Sequence, residues 1–155
     1  MSFKFQLRLF FFFILSLWMI LIFHEFIFPA KSIFSIIGIY FDRSASLICH
    51  QEPGKLLSLG NMHSSVCARC SGIYSGAFAA SMLLLIDIHP RINNKHLFLS
   101  LILLSLDVFL VNAGVYNYLK TTAYISGIIL GCVSFFYLYE SVLNLLSQRK
   151  TGHNT

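Results

Sequence analysis

Residues 9–28 read LFFFFILSLWMILIFHEFIF, an apolar run interrupted only by Ser16, His24 and Glu25 and preceded by Lys4 and Arg8. About twenty such residues at 1.5 Å each match the ~30 Å hydrocarbon core of a bilayer, so this stretch reads as a membrane span. The exit Phe28-Pro29-Ala30-Lys31 lacks a small-x-small cleavage site, which favours a retained anchor over a secretory signal. His24 and Glu25 fall at its far end, within reach of headgroups or of a neighbouring helix.

The rest of the 155 residues carries the same signal. Apolar residues make up 57% of the chain and charged residues 11%, with sixteen phenylalanines, which excludes an ordinary soluble domain. The net charge of +5 comes from basic residues placed singly at the ends of apolar segments. That placement marks topology and lipid headgroup contact, and gives nothing a nucleic acid would bind. One integral membrane domain over 1–155 is expected, an all-α polytopic bundle of about four transmembrane helices at 9–28, 71–88, 97–115 and 122–146. Segment 32–48 has helical periodicity and too short an apolar core to span, so it reads as interfacial or re-entrant. Residues 49–70 form a loop between spans one and two, broken at Pro53-Gly54 and again at Gly60-Asn61.

Gly72, Gly76 and Ala80 in the second span, and Ala123, Gly127 and Gly131 in the fourth, repeat small residues every four positions. Such faces let helix backbones approach closely in lipid, so these two spans should touch, and the same faces offer a route to homo-oligomers. With both termini cytoplasmic, the inner segments hold Lys4, Arg8, Arg91, Lys95, Arg149 and Lys150, against Lys31, Arg43, Lys55, Arg69 and Lys120 outside. The expected location is the cell membrane, multi-pass, with the 49–70 loop facing outward.

That loop holds the chemistry. Cys49-His50-Gln51 is followed, after a polar connector, by Val66-Cys67-Ala68-Arg69-Cys70-Ser71-Gly72-Ile73-Tyr74. Cys67-x-x-Cys70 puts two sulfurs within reach of one ion or of each other, and seventeen residues separate Cys49 from Cys67, a gap found between the halves of four-ligand zinc sites. Cys49, Cys67 and Cys70 with His50, or His63 in its place, make a tetrahedral set for zinc or another transition metal. Arg69 and the start of the second span should lower the thiol pKa, and Gly72 lets backbone amides face the sulfurs.

The same features suit a thiol-disulfide oxidoreductase in which Cys67 and Cys70 cycle and Cys49 resolves, and an outward location favours oxidation. A Cys49–Cys67 disulfide tying down the loop is the plain structural alternative. Tyr74 reads as an interfacial anchor and Cys132 as a small packing residue. Asp107 falls near the middle of the third span, where an ionised carboxylate costs ~3 kcal/mol or more, so it needs a partner: Asn112, Tyr116, or Arg69 if the motif dips below the headgroups. A small transporter is a third reading. No phosphate loop, nucleophile elbow or acid/base pair is present, and no catalytic residue outside the cysteines is assigned.

The motif resembles the signature of an uncharacterised family of small prokaryotic integral membrane proteins, a domain of unknown function, with C-H-Q and then V-C-A-R-C-[ST]-G-x-Y opening a span. The likeness extends more loosely through Asp107, Gly114, Gly127 and Gly131. It implies a multi-span membrane protein and no established activity. Two departures stand out. Ser64-Ser65 replace an apolar residue and proline, and Ala123-Tyr124 stand where an arginine often precedes the pair that is Ser126-Gly127 here. If that arginine serves the aspartate, Asp107 in this chain is left without its partner.

Overall fold

The computed structural model describes residues 3–27, 33–47, 49, 51–59, 62–88, 90 and 92–151. The chain is a helical bundle capped at one end by a small hairpin. Helix α1 spans Phe3–Ile22, α2 is the single turn His24–Ile27, and α3 runs Ile33–Ala45. Strands β1 (Leu56–Leu59) and β2 (Met62–Cys67) pair antiparallel, and α4 (Ala68–Leu85), α5 (Asn94–Asn112) and α6 (Lys120–Thr151) follow.

Among the described residues, α1, α5 and α6 are long and apolar enough to cross a membrane. Their outer faces carry exposed Phe10, Phe13, Leu17, Phe98, Leu99, Ile102 and Phe109. A monomer in water does not sustain an apolar surface of this extent, whereas lipid accepts it without penalty. The 18-residue α4 is more polar because serines and glycines line it, and it lies against both α1 and α6.

Four side-chain contacts fix the direction of each helix. At one end of the bundle Arg8, near the start of α1, meets Asp87 just past α4 at 2.6 Å and the Tyr139 hydroxyl of α6 at 3.0 Å. At the other end Arg69 opens α4 and pairs with Asp107 in the last two turns of α5, while Lys120 at the head of α6 donates to Ser58 of β1. The four long helices therefore alternate in direction, with the hairpin, α2 and α3 gathered at the end where α1 and α5 finish.

The small-residue faces of α4 and α6 meet inside the chain. A Cβ on Gly72 would lie 2.2 Å from the Tyr124 carbonyl oxygen, one on Gly76 2.3 Å from that of Ile128, and one on Gly131 2.0 Å from that of Ile73. Below this contact Ala80, Leu84, Phe135, Phe136 and Tyr139 form one core cluster, joined by Leu7 and Phe11 of α1. A second cluster at the hairpin end holds Ile22, Ala45, Cys49 and Val66.

Three boundaries differ from the sequence expectation. The first apolar run does not continue as one helix to residue 28: α1 stops at Ile22, because the His24 ring bonds the Leu21 carbonyl at 3.0 Å, the acceptor an unbroken helix would offer to the Glu25 amide. The 49–70 segment is no simple loop, since β1 and β2 pair on either side of Gly60-Asn61, which lie outside the described residues. Helix α5 ends at Asn112, followed by Gly114 with a positive φ of 70° open to a residue without Cβ, so Asp107 sits within the last two turns of its helix and not at its middle.

Candidate functional site

Strand β2 delivers Cys67 to the N-terminus of α4, and the first turn of α4 carries Cys70. Cys49 follows α3, its amide bonded to the Ala45 carbonyl at 2.9 Å, and its sulfur accepts the Cys67 N–H at 3.3 Å. The three sulfurs lie within 4.8 Å of one another, and all three thiols are free. Tetrahedral zinc places thiolates ~3.8 Å apart at Zn–S of 2.3 Å, so the set fits one ion. Cys132 stands apart in the α4–α6 contact, bonded to the Gly76 carbonyl at 3.0 Å.

The site has an apolar wall on its inner side. Trp18, Phe41 and Tyr74 pack around it, and a cavity of about 50 Å³ touches Cys49, Cys70 and all three rings. Tyr74 is thus a wall of the site in addition to any surface role. Gly72, buried one turn along from Ala68, is occupied by helix packing against Tyr124 and Gly127.

Cys67 is poised as a thiolate. Hydrogen bonding from the Cys70 thiol pulls its pKa down to about 5, against the desolvation of a half-buried sulfur. The backbone amides of Cys70 and Arg69 and the Cys49 thiol add to the same effect. Arg69 therefore helps through its amide, in the positive field of a helix start, and not through its guanidinium as its position between the thiols suggested. In metal-free protein the rate of Cys67 alkylation by iodoacetamide should stay nearly constant from about pH 8 to about pH 6 and fall below that, reaching half at about pH 5. An ordinary thiol with a pKa near ~8.5 slows roughly tenfold per unit over that range. Cys70→Ala should move the fall to higher pH, since the donor is lost.

The guanidinium of Arg69 turns away to Asp107, at 2.5 Å, beneath the Tyr118 ring. Tyr116 donates its hydroxyl to the other oxygen of the same carboxylate, which raises the tyrosine pKa. Asp107 is buried and doubly satisfied, so the arginine absent near position 124 leaves no gap: Arg69, from the motif itself, supplies the charge.

The remaining motif residues are structural or lie elsewhere. Gln51 adopts a left-handed φ of 43°, a strain offset by its amide, which donates to the Asp42 carbonyl at 3.0 Å and the Ser65 carbonyl at 2.7 Å and so ties α3 to β2. Ser64 accepts the Leu57 amide and donates to the Val66 carbonyl, and Ser65 reaches His24 Nδ1 at 3.2 Å, so both buried serines are hydrogen-bonded. His63 is exposed and outside the sulfur cluster, with its backbone amide donated to Glu25 at 2.7 Å. His50 lies outside the described residues.

A second group was not legible from spacing: His24, Glu25 and Asp42 bring ligand atoms within 4.8 Å of one another, against β2 residues 63 and 65. The adjacent His-Glu pair was visible in the sequence. Asp42 arrives from a different helix, which no local pattern announces.

A family model described as Predicted membrane protein (DUF2085) matches residues 49–137, a range that includes the three cysteines, Arg69 and Asp107. The chain is 28% identical over 113 residues to uncharacterized protein MJ1492 of Methanocaldococcus jannaschii, across 67% of this chain and 69% of that protein. No solved structure matches the chain.

Proposed function

The chain belongs to this family of predicted membrane proteins, and we propose that its Cys49, Cys67 and Cys70 bind a soft transition-metal ion, zinc first, at the membrane surface. The observation that carries the reading is the convergence of three free sulfurs within 4.8 Å, Cys49 from just past the end of α3 and Cys67 and Cys70 from the β2–α4 junction. Thiolate donors select zinc, copper(I) or iron over harder ions. His50, next to Cys49 in sequence, is the natural fourth ligand. Cys67 needs little deprotonation at neutral pH, which favours capture of the ion. The ion would fasten the end of α3 to the β2–α4 junction, and the basic residues at the Arg8 end support cytoplasmic termini with the sulfurs outward.

Protein purified in detergent under anaerobic conditions should contain about one equivalent of zinc, iron or copper, the loading expected of a single four-ligand site. Cys49→Ser, Cys67→Ser and Cys70→Ser should each lower it at least ~10-fold. Wild-type protein that takes up no metal while its thiols titrate as free would end this reading.

The depressed Cys67 pKa supports a second one, thiol-disulfide exchange. The Cys67 thiolate would attack a partner disulfide and expel one partner thiolate, and Cys70 would then displace the other, leaving the partner reduced and Cys67–Cys70 oxidised. On this reading Cys70→Ala traps a mixed disulfide visible as a gel shift, and metal content is irrelevant.

A further inference from the structure

We infer that His24, Glu25 and Asp42 form a second cation site, for a first-row divalent ion bound by imidazole and carboxylate, beside the thiolate cluster and independent of it. The neighbours of His24 set its tautomer. Its Nδ1 lies 3.0 Å from the Leu21 carbonyl, which can only accept, so Nδ1 carries the proton, with the Ser65 hydroxyl as a second neighbour at 3.2 Å. The lone pair of neutral His24 is then on Nε2, and Nε2 faces Asp42 Oδ2 at 3.8 Å.

Two acceptors facing each other at that separation repel unless a positive charge, either a proton on Nε2 or a bound cation, lies between them, and 3.8 Å is too long for a hydrogen bond. It suits two ligands of one ion at ~2.1 Å each. The other Asp42 oxygen, Oδ1, is buried and has no hydrogen-bond partner among the described residues. Such an oxygen is unfavourable unless something unseen satisfies it. Glu25 gives one oxygen to the His63 amide at 2.7 Å and keeps the other for the ion.

The imidazole is held in place as a ligand should be. Its side chain is only 10% exposed, and its ring lies where a Cβ on Gly38 would stand, 2.1 Å from Nε2. A carbonyl fixing the distal nitrogen is the usual support of metal-bound histidine. One nitrogen and two carboxylates form a harder set than three sulfurs, suited to Mn²⁺, Fe²⁺ or Zn²⁺. Strand β2 carries the His63 amide that meets Glu25, the Ser65 hydroxyl that meets His24, and Cys67 at its end, so this site and the thiolate cluster share a support without sharing ligands.

Mn²⁺ is the probe, because thiolates hold it poorly. Titrated into full-length protein in lipid nanodiscs, Mn²⁺ should lose its free-ion EPR signal to one saturable site and raise the thermal midpoint of the wild type. His24→Gln and Asp42→Asn should each weaken binding at least ~10-fold, and Gly38→Ala, which keeps all three donors and displaces the ring, should weaken it comparably. Cys67→Ser should bind Mn²⁺ as the wild type does, which separates this outcome from failure of the thiolate reading. The inference is overturned if wild-type protein binds no Mn²⁺ and gains no stability from it, or if folded His24→Gln and Asp42→Asn bind it undiminished. The first result needs no variant to fold.

Discussion

Gly131→Leu will unfold the bundle. A Cβ at this position meets the Ile73 carbonyl oxygen at 2.0 Å, with the Ile73 carbonyl carbon at 2.8 Å, and both are backbone atoms that cannot rotate aside. The contact is equally tight at Gly72 and Gly76 of α4 and at Gly127 of α6, whose own Cβ positions fall 2.2–2.4 Å from carbonyl oxygens across it. Relief requires α4 and α6 to part along their whole length, which removes the close packing that drives helix association in lipid. Overpacking in a rigid core costs ~1–3 kcal/mol, and a backbone clash should exceed that range.

Trp18, the single tryptophan, packs edge-on against Phe41 and beside Tyr74 of α4, so its fluorescence reports whether the bundle is assembled. Gly131→Leu should lose the cooperative thermal transition in detergent. Gly54→Ala, at a position with nothing within 4 Å, should leave it unchanged. A Gly131→Leu protein with a wild-type transition would mean that the two helices do not meet along this face.

Asp107→Leu will be nearly as damaging. It strands the Arg69 guanidinium, only 21% exposed, without its carboxylate, and removes the acceptor of the Tyr116 hydroxyl. Removing one partner of a buried ion pair costs ~3–5 kcal/mol, because the other charge stays desolvated. Arg69→Met combined with Asp107→Leu should recover most of the loss, since an apolar pair of similar volume has no charge to strand. A double-mutant cycle on the thermal transition therefore gives a large coupling energy, and additive losses would show that the two side chains act separately. Asp107→Asn should fall between, keeping the tyrosine contact while leaving Arg69 uncompensated.

These two outcomes bear on how the sequence is read. The apolar runs and the spacing of Gly72, Gly76, Gly127 and Gly131 follow from chain-local rules: hydrocarbon thickness sets the length of a helix, and a helix turn sets which small residues share a face. The membrane bundle and the α4–α6 contact were legible from those rules. So was the gathering of Cys49 with Cys67 and Cys70, because residue type and spacing advertised a common ligand. The hairpin was not, since β1 and β2 are too short for a period to show. The partner of Asp107 was open among three residues, because nothing local distinguishes a pair thirty-eight residues apart.

What the amino-acid order fixed is therefore everything governed by neighbours within a few turns: the solvent each segment prefers, the helix faces and the thiol motif. Long-range placement fixed the rest. It turned the Arg69 guanidinium away from the sulfurs to neutralise Asp107, and it set Asp42 of α3 against His24 of α2. The first follows from the cost of leaving a charge unpaired in a desolvated bundle, and both depend on which surfaces meet and not on distance along the chain.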